Sequence, residues 1–127
     1  MSTIGHPLAD IANVLHPWTV NAISTTTARQ LSLPHNIDRS EGLPSICQCL
    51  VWYESEARWD PASELRWAEA FCLCRLSIIY QGIAARYAAR QASSTQAKER
   101  GKAMYPSAEL AVRVIQDITS HSDVAKL

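Results

Sequence analysis

The stretch Leu65–Arg90, LRWAEAFCLCRLSIIYQGIAARYAAR, decides how the rest of the chain is read. Helical throughout, it would be about 39 Å long. Between Ala68 and Ala85 its only charges are Glu69 and Arg75, and apolar residues fall on every side of the helical wheel. That distribution predicts a helix buried on most of its circumference. Arg75, Gly82 and Arg86 fall on one side, because steps of seven and eleven residues return to nearly the same angle, while Gln81 lies off that line. A buried guanidinium or amide has to find partners. The helix is therefore expected to anchor a polar network or to face a ligand.

Working outward, Asp60-Pro61 marks the start of this helix, with aspartate as N-cap, proline at the first helical position and Glu64 in the first turn. Trp59 and Trp67 flank the entrance as packing residues. An earlier helix opens at Pro44 or Ser45, with Ile46, Cys49, Leu50 and Tyr53 facing inward and Glu54, Glu56 and Arg58 outward. Pro7 suits the first turn of another helix, whose apolar face is Leu8, Ile11, Ala12 and Leu15 and which Pro17 is expected to stop. Asp10, in its first turn, is placed either to accept backbone N–H bonds or to face solvent as a helix-start charge. Residues 18–42 read as one long loop of the kind that lines a site, with room for a helical turn around Thr27 to Leu31.

Beyond the central stretch, Gln91 to Ser94 breaks the pattern and Thr95 to Met104 forms a polar helix. Pro106 predicts a kink or a fresh start at Ser107, and Leu110, Val114, Ile115 and Ile118 give the last helix its buried side. Residues 119–127 are a polar tail. No strand-like alternation and no internal repeat occurs. The expectation is a single all-α domain over residues 1–127, with four or five helices packed around a central buried helix Leu65–Arg90.

Composition is that of a globular domain, 47% hydrophobic and 19% charged over 127 residues with a formal net charge of zero. The zero balance argues against a nucleic-acid binder, since nothing supplies an excess of cationic surface. No apolar run approaches the ~20 residues of a membrane span, and no secretory signal opens the chain, so neither a nucleic acid nor a membrane is expected as partner. The cysteines form two Cys-x-Cys pairs, Cys47/Cys49 and Cys72/Cys74, both in helical patterns where residues two apart diverge by about 200°. Such a pair cannot chelate one ion, so buried reduced thiols are expected and no metal site. His6 and His16 stand beside prolines in helix-end positions, where capping or surface roles suit them. The chain holds no phosphate-binding glycine loop, no G-x-S-x-G elbow and no H-E-x-x-H. Ala125-Lys126-Leu127 is similar to the Ser-Lys-Leu peroxisomal address, which implies a peroxisomal location and an import receptor as partner; otherwise the chain is expected in the cytoplasm.

Three segments together carry a resemblance: Ser2 to Asp10 (STIGHPLAD), Gly42 to Ser45 (GLPS) and Phe71 to Ser94 (FCLCRLSIIYQGIAARYAARQASS). In this order and spacing they resemble the C-terminal half of aminoglycoside-phosphotransferase-like kinases, closest to the kinase-like domain fused to acyl-CoA dehydrogenases. The family pattern runs S-T-x-G-x-P-L-x-D-L, then G-x-P-S, then F-[RK]-x-A-x-I-x-Q-G-x-x-x-R, and ends in N-x-S-S. Asp10, Arg75, Gln81, Gly82, Arg86, Ser93 and Ser94 stand in matching places, whereas Ile11, Ser77 and Gln91 depart from it. The resemblance implies the helical, substrate-side subdomain of the kinase-like fold. It also implies that the phosphate-covering loop and lysine, the His-Gly-Asp loop and the metal-binding Asp-Trp-Glu belong upstream of Met1. Positioning ATP and magnesium is nearly all the catalysis in phosphoryl transfer, so this chain is not expected to transfer phosphate alone.

The expected function is thus a truncated phosphotransferase-like module, non-catalytic and without cofactor. It would bind a small acyl or hydroxylated ligand or a protein partner, and would oligomerise to cover an apolar face otherwise left open. Arg75, Tyr80, Gln81 and Arg86 are the candidate ligand-binding residues. The same polar groups read alternatively as a structural network, with Arg75 and Arg86 pairing Asp10 or helix-end carbonyls and Gln81 tying two helices. Competing expectations are a recruited non-kinase activity around Asp10, His16, Tyr80 and Arg86, or half of a split kinase or fragment of a full-length one.

Overall fold

The computed structural model describes residues 5–23 and 42–124. They form α1 (Pro7–Ile23), α2 (Ile46–Ala57), α3 (Ala62–Ala88), the short α4 (Ala97–Gly101) and α5 (Met104–Val124), with no strand among the described residues. The protein is all-α, and α3 is its centre: α5 packs along it most extensively, then α4 and α1.

Local signals set the ends. Ser45 caps α2, its side chain accepting the Gln48 N–H at 3.2 Å. Arg58, in a left-handed conformation (φ 55°), closes α2 by returning its N–H to the Glu54 carbonyl at 2.8 Å. Asp60 Oδ1 accepts the Ala62 N–H at 2.8 Å, so the Asp60-Pro61 pair launches α3. At its far end Arg90 (φ 57°) turns the chain, and Gln91 N–H reaches back to the Arg86 carbonyl at 2.8 Å.

Two apolar clusters meet on α3. In one, Ala70 and Leu73 lie among Val20 of α1 and Leu110, Ala111 and Val114 of α5, with Tyr80 and Ile118 packed against the group. In the other, Leu65, Ala68 and Cys72 meet Leu8, Ile11, Ala12 and Leu15, partly roofed by Ile46, Cys49, Leu50 and Tyr53 of α2. Leu73 and Val114 are wholly buried, and side chains of this size contribute about 1.5–3 kcal/mol each on burial. By contrast, α2 buries no residue fully.

Several expectations need correction. Pro17 does not stop α1, which runs six residues further to Ile23. The missing N–H costs one hydrogen bond, but the continued turn buries Thr19 and Val20 and lets Trp18 Nε1 donate to the Pro44 carbonyl at 3.1 Å. Residues 18–23 therefore belong to α1, and residues 119–124, expected as a polar tail, continue α5 to Val124; residues 24–41, with the turn expected at Thr27 to Leu31, and residues 125–127 lie outside the described residues. The polar helix expected over Thr95–Met104 shrinks to Ala97–Gly101. Pro106 sits in the first turn of α5, where its missing N–H has no intrahelical partner to lose, so no interruption follows. Ile115 is exposed and Ala111 takes the inward position instead. Most consequential, α3 is not buried around its circumference: Trp67, Phe71 and Ile78 are 52%, 61% and 62% exposed.

Candidate functional site

The polar residues inside α3 tie it to α1. Arg75, half-buried, donates to Asn13 Oδ1, which also receives Cys72 Sγ at 3.2 Å. Burial pushes the Cys72 thiol pKa up, with the Arg75 charge pulling the other way. One turn earlier Glu69, only 6% exposed, accepts from Thr19 Oγ1 at 2.8 Å and from Arg66 Nη1 at 3.0 Å. Arg66 reaches on to Asp117 of α5 at 3.7 Å. Asn13, Thr19, Arg66 and Glu69 were not legible as a cluster, because asparagine and threonine on a helix usually face water. Only Glu69, a carboxylate inside an apolar run, carried a signal.

The sequence candidates do not converge. Arg75 faces α1; Tyr80 lies half-buried against the α3–α5 cluster; Gln81, Arg86 and Asp10 are exposed. Arg75 and Arg86 stand about 16 Å apart along the helix axis. Arg86 instead borders a cleft of about 270 Å³ with Arg100, Ser93 and Ser94, where the α3–α4 turn folds back. His6 caps α1, Nδ1 accepting the Leu8 N–H at 3.3 Å, and its ring meets Trp59 edge-on at 5.9 Å. His16, within α1 and not at its end, is half-buried, and that burial holds its pKa below 6.5. Cys47 and Cys74 are exposed, Cys49 is half-buried and Cys72 buried. Among the described residues no three His, Cys, Asp or Glu side chains are grouped to hold a metal.

A further feature is the outer face of α3. Trp67, Phe71, Cys74, Ile78, Gln81 and Ala85 are all exposed and follow one another in steps of four and three along the helix. Such spacing keeps them in one stripe. A groove of about 590 Å³ opens beside its N-terminal end, between His6 and Leu8 of α1 and Glu64, Trp67 and Phe71 of α3. The spacing was present in the sequence, but the stripe was masked by an equally apolar face opposite. By length and composition alone α3 could also cross a membrane, and a third of its most apolar window is buried in the fold. This corrects the expectation that no apolar run approaches a membrane span: the helix reaches that length and mean hydropathy with Glu69 and Arg75 inside it. Spanning would pull both away from Thr19 and Asn13.

No family model, no curated protein and no solved structure matches the chain.

Proposed function

We propose that this chain is a phosphotransferase-like helical module that works by binding and not by catalysis, with the outer face of α3 as its binding surface. The supporting observation is the stripe Trp67, Phe71, Cys74 and Ile78, large and exposed on a helix whose opposite face already fills the core. Contiguous apolar surface of this kind marks an interaction site. The embedded polar groups Arg75 and Glu69 are engaged within the fold and not presented to a reacting group. Purified chain incubated with radiolabelled ATP and hydroxylated acceptors should transfer no label; transfer by the chain alone overturns the reading.

The Arg86–Arg100 cleft favours a second reading, a small anionic ligand such as an acyl thioester with its phosphates seated between two guanidinium groups. Thermal-shift titration with coenzyme A thioesters should raise the melting temperature of the wild type and not of Arg86→Gln. Equal shifts, or none, remove it.

A further inference from the structure

We infer that the occupant of the α3 outer face is the same face of a second copy, laid antiparallel, with Cys74 beside the two-fold axis. The inference rests on the binding-module reading and specifies its partner. Three features favour this arrangement.

The first is the spacing. Alternating steps of four and three from Trp67 to Ala85 form a seam about 27 Å long, the repeat that keeps one helix face against another. A seam confined to one helix is self-complementary under a two-fold axis.

Size complementarity is the second. With the axis level with Leu76 the seam meets itself, Trp67 facing Ala85 of the second copy, Phe71 facing Gln81 and Cys74 facing Ile78. Ala85 is small and exposed, and a Cβ built on Gly82 beside it finds nothing within 4 Å, so the two leave a notch at the edge of the stripe. Antiparallel order drops an indole into that notch at each end. Parallel order sets Trp67 against Trp67 and glycine against glycine.

Charge gives the direction independently. The first turn of α3 carries Glu64 and the last carries Arg86. Laid antiparallel, each Glu64 comes beside the other copy's Arg86 and the helix dipoles oppose; laid parallel, like charges meet. The stripe and its rim offer roughly 600 Å² per copy, near the lower end of specific interfaces. A reversible dimer follows, not a permanent one.

The same axis brings the two Cys74 thiols within reach of each other, while Cys47 sits on α2 and is no part of the seam. The test is sedimentation equilibrium of the full chain, together with cross-linking by a short bis-maleimide. Expected are a mass twice that of the chain and a covalent dimer through Cys74, lost in Cys74→Ser and kept in Cys47→Ser. Ile78→Glu should weaken association about a hundredfold or more by burying two like charges near the axis, with the far-UV circular dichroism unchanged. Phe71→Ser serves as a second variant should Ile78→Glu fold poorly. A wild type that stays monomeric at high concentration overturns the inference. So does a dimer linked through Cys47, one that survives both substitutions, or a stripe that takes up lipid vesicles instead of a second copy. None of these outcomes touches the absence of phosphoryl transfer, on which the binding-module reading stands or falls separately.

Discussion

The two faces of α3 are almost equally apolar, yet one is core and the other is open. The inner face uses Ala68, Ala70, Cys72 and Leu73, mostly small residues that let α1 and α5 approach closely. Its polar atoms are matched across the contact, Glu69 with Thr19 and Arg75 with Asn13. The outer face uses Trp67, Phe71 and Ile78, bulky side chains that stand proud of the surface. Hydrophobicity alone does not separate these roles. Size does, because a close-packed interior rewards short side chains between helices, whereas an association surface relies on a few large anchors.

The sharpest way to break this contrast is to truncate one residue on each face. Leu73→Ala leaves a void at a site with no exposure and should cost about 2–5 kcal/mol in urea denaturation. Ile78→Ala, measured at concentrations too low for association, should cost under about 0.5 kcal/mol, as surface changes do. Comparable losses at the two positions would mean that the outer face is folded against something within the chain.

Next in size is the polar lock. Glu69→Ala removes the acceptor of Thr19 and Arg66 and should destabilise the protein by about 2–3 kcal/mol. Glu69→Gln, which keeps an acceptor for Thr19, should cost less. If both are neutral, the inner face is held by apolar packing alone, and the difference between the faces reduces to side-chain size.

What was legible in the sequence follows the same line. The central role of α3 could be read from its long, largely apolar run, and its start from Asp60-Pro61, because both are local facts. The run of α1 through Pro17 could not, since one lost hydrogen bond is outweighed by contacts from Trp18, Thr19 and Val20 to distant residues. Arg75 visibly needed a partner, but Asn13 lies 62 residues away and nothing local marks it. The outer stripe was misread as core because the sequence shows that a residue is apolar and not whether another element covers it. Asp10 and Gln81 were singled out as polar groups in apolar segments and again by the resemblance to a family pattern; in the fold both are exposed.

The glycines sharpen the contrast at a smaller scale. Gly101 of α4 faces α3 so closely that an added Cβ would stand 3.0 Å from Ala84 Cβ and 3.1 Å from its Cα. Gly101→Ala should therefore cost about 1–3 kcal/mol by overpacking, despite alanine's better helix propensity. Gly82→Ala meets no such neighbour and should stabilise the monomer by about 0.5–1 kcal/mol in the same denaturation measurement. If the notch at Gly82 receives Trp67 of a second copy, that substitution should also weaken association, so fold and interface would respond with opposite sign. Both responses in the same direction would place Gly82 outside the contact.

The smallest effect concerns His16, the half-buried imidazole of α1. Burial disfavours its charged form and lowers its pKa in the fold below the 6.5 of an exposed histidine. As pH falls, the unfolded chain binds the proton first. The contribution of a neutral His16 is thus complete above pH 6.5 and is lost as pH drops through that value towards the lower folded pKa. Carboxylates begin to titrate only near pH 5 and below, so the interval from about pH 7 to about pH 5.5 isolates the histidines. Within it the urea midpoint of the wild type should fall, and in His16→Gln it should stay nearly flat. A midpoint that rises on acidification would mean that the charged imidazole has a partner in the fold, reversing the sign. An equal fall in His16→Gln would assign the dependence to another group.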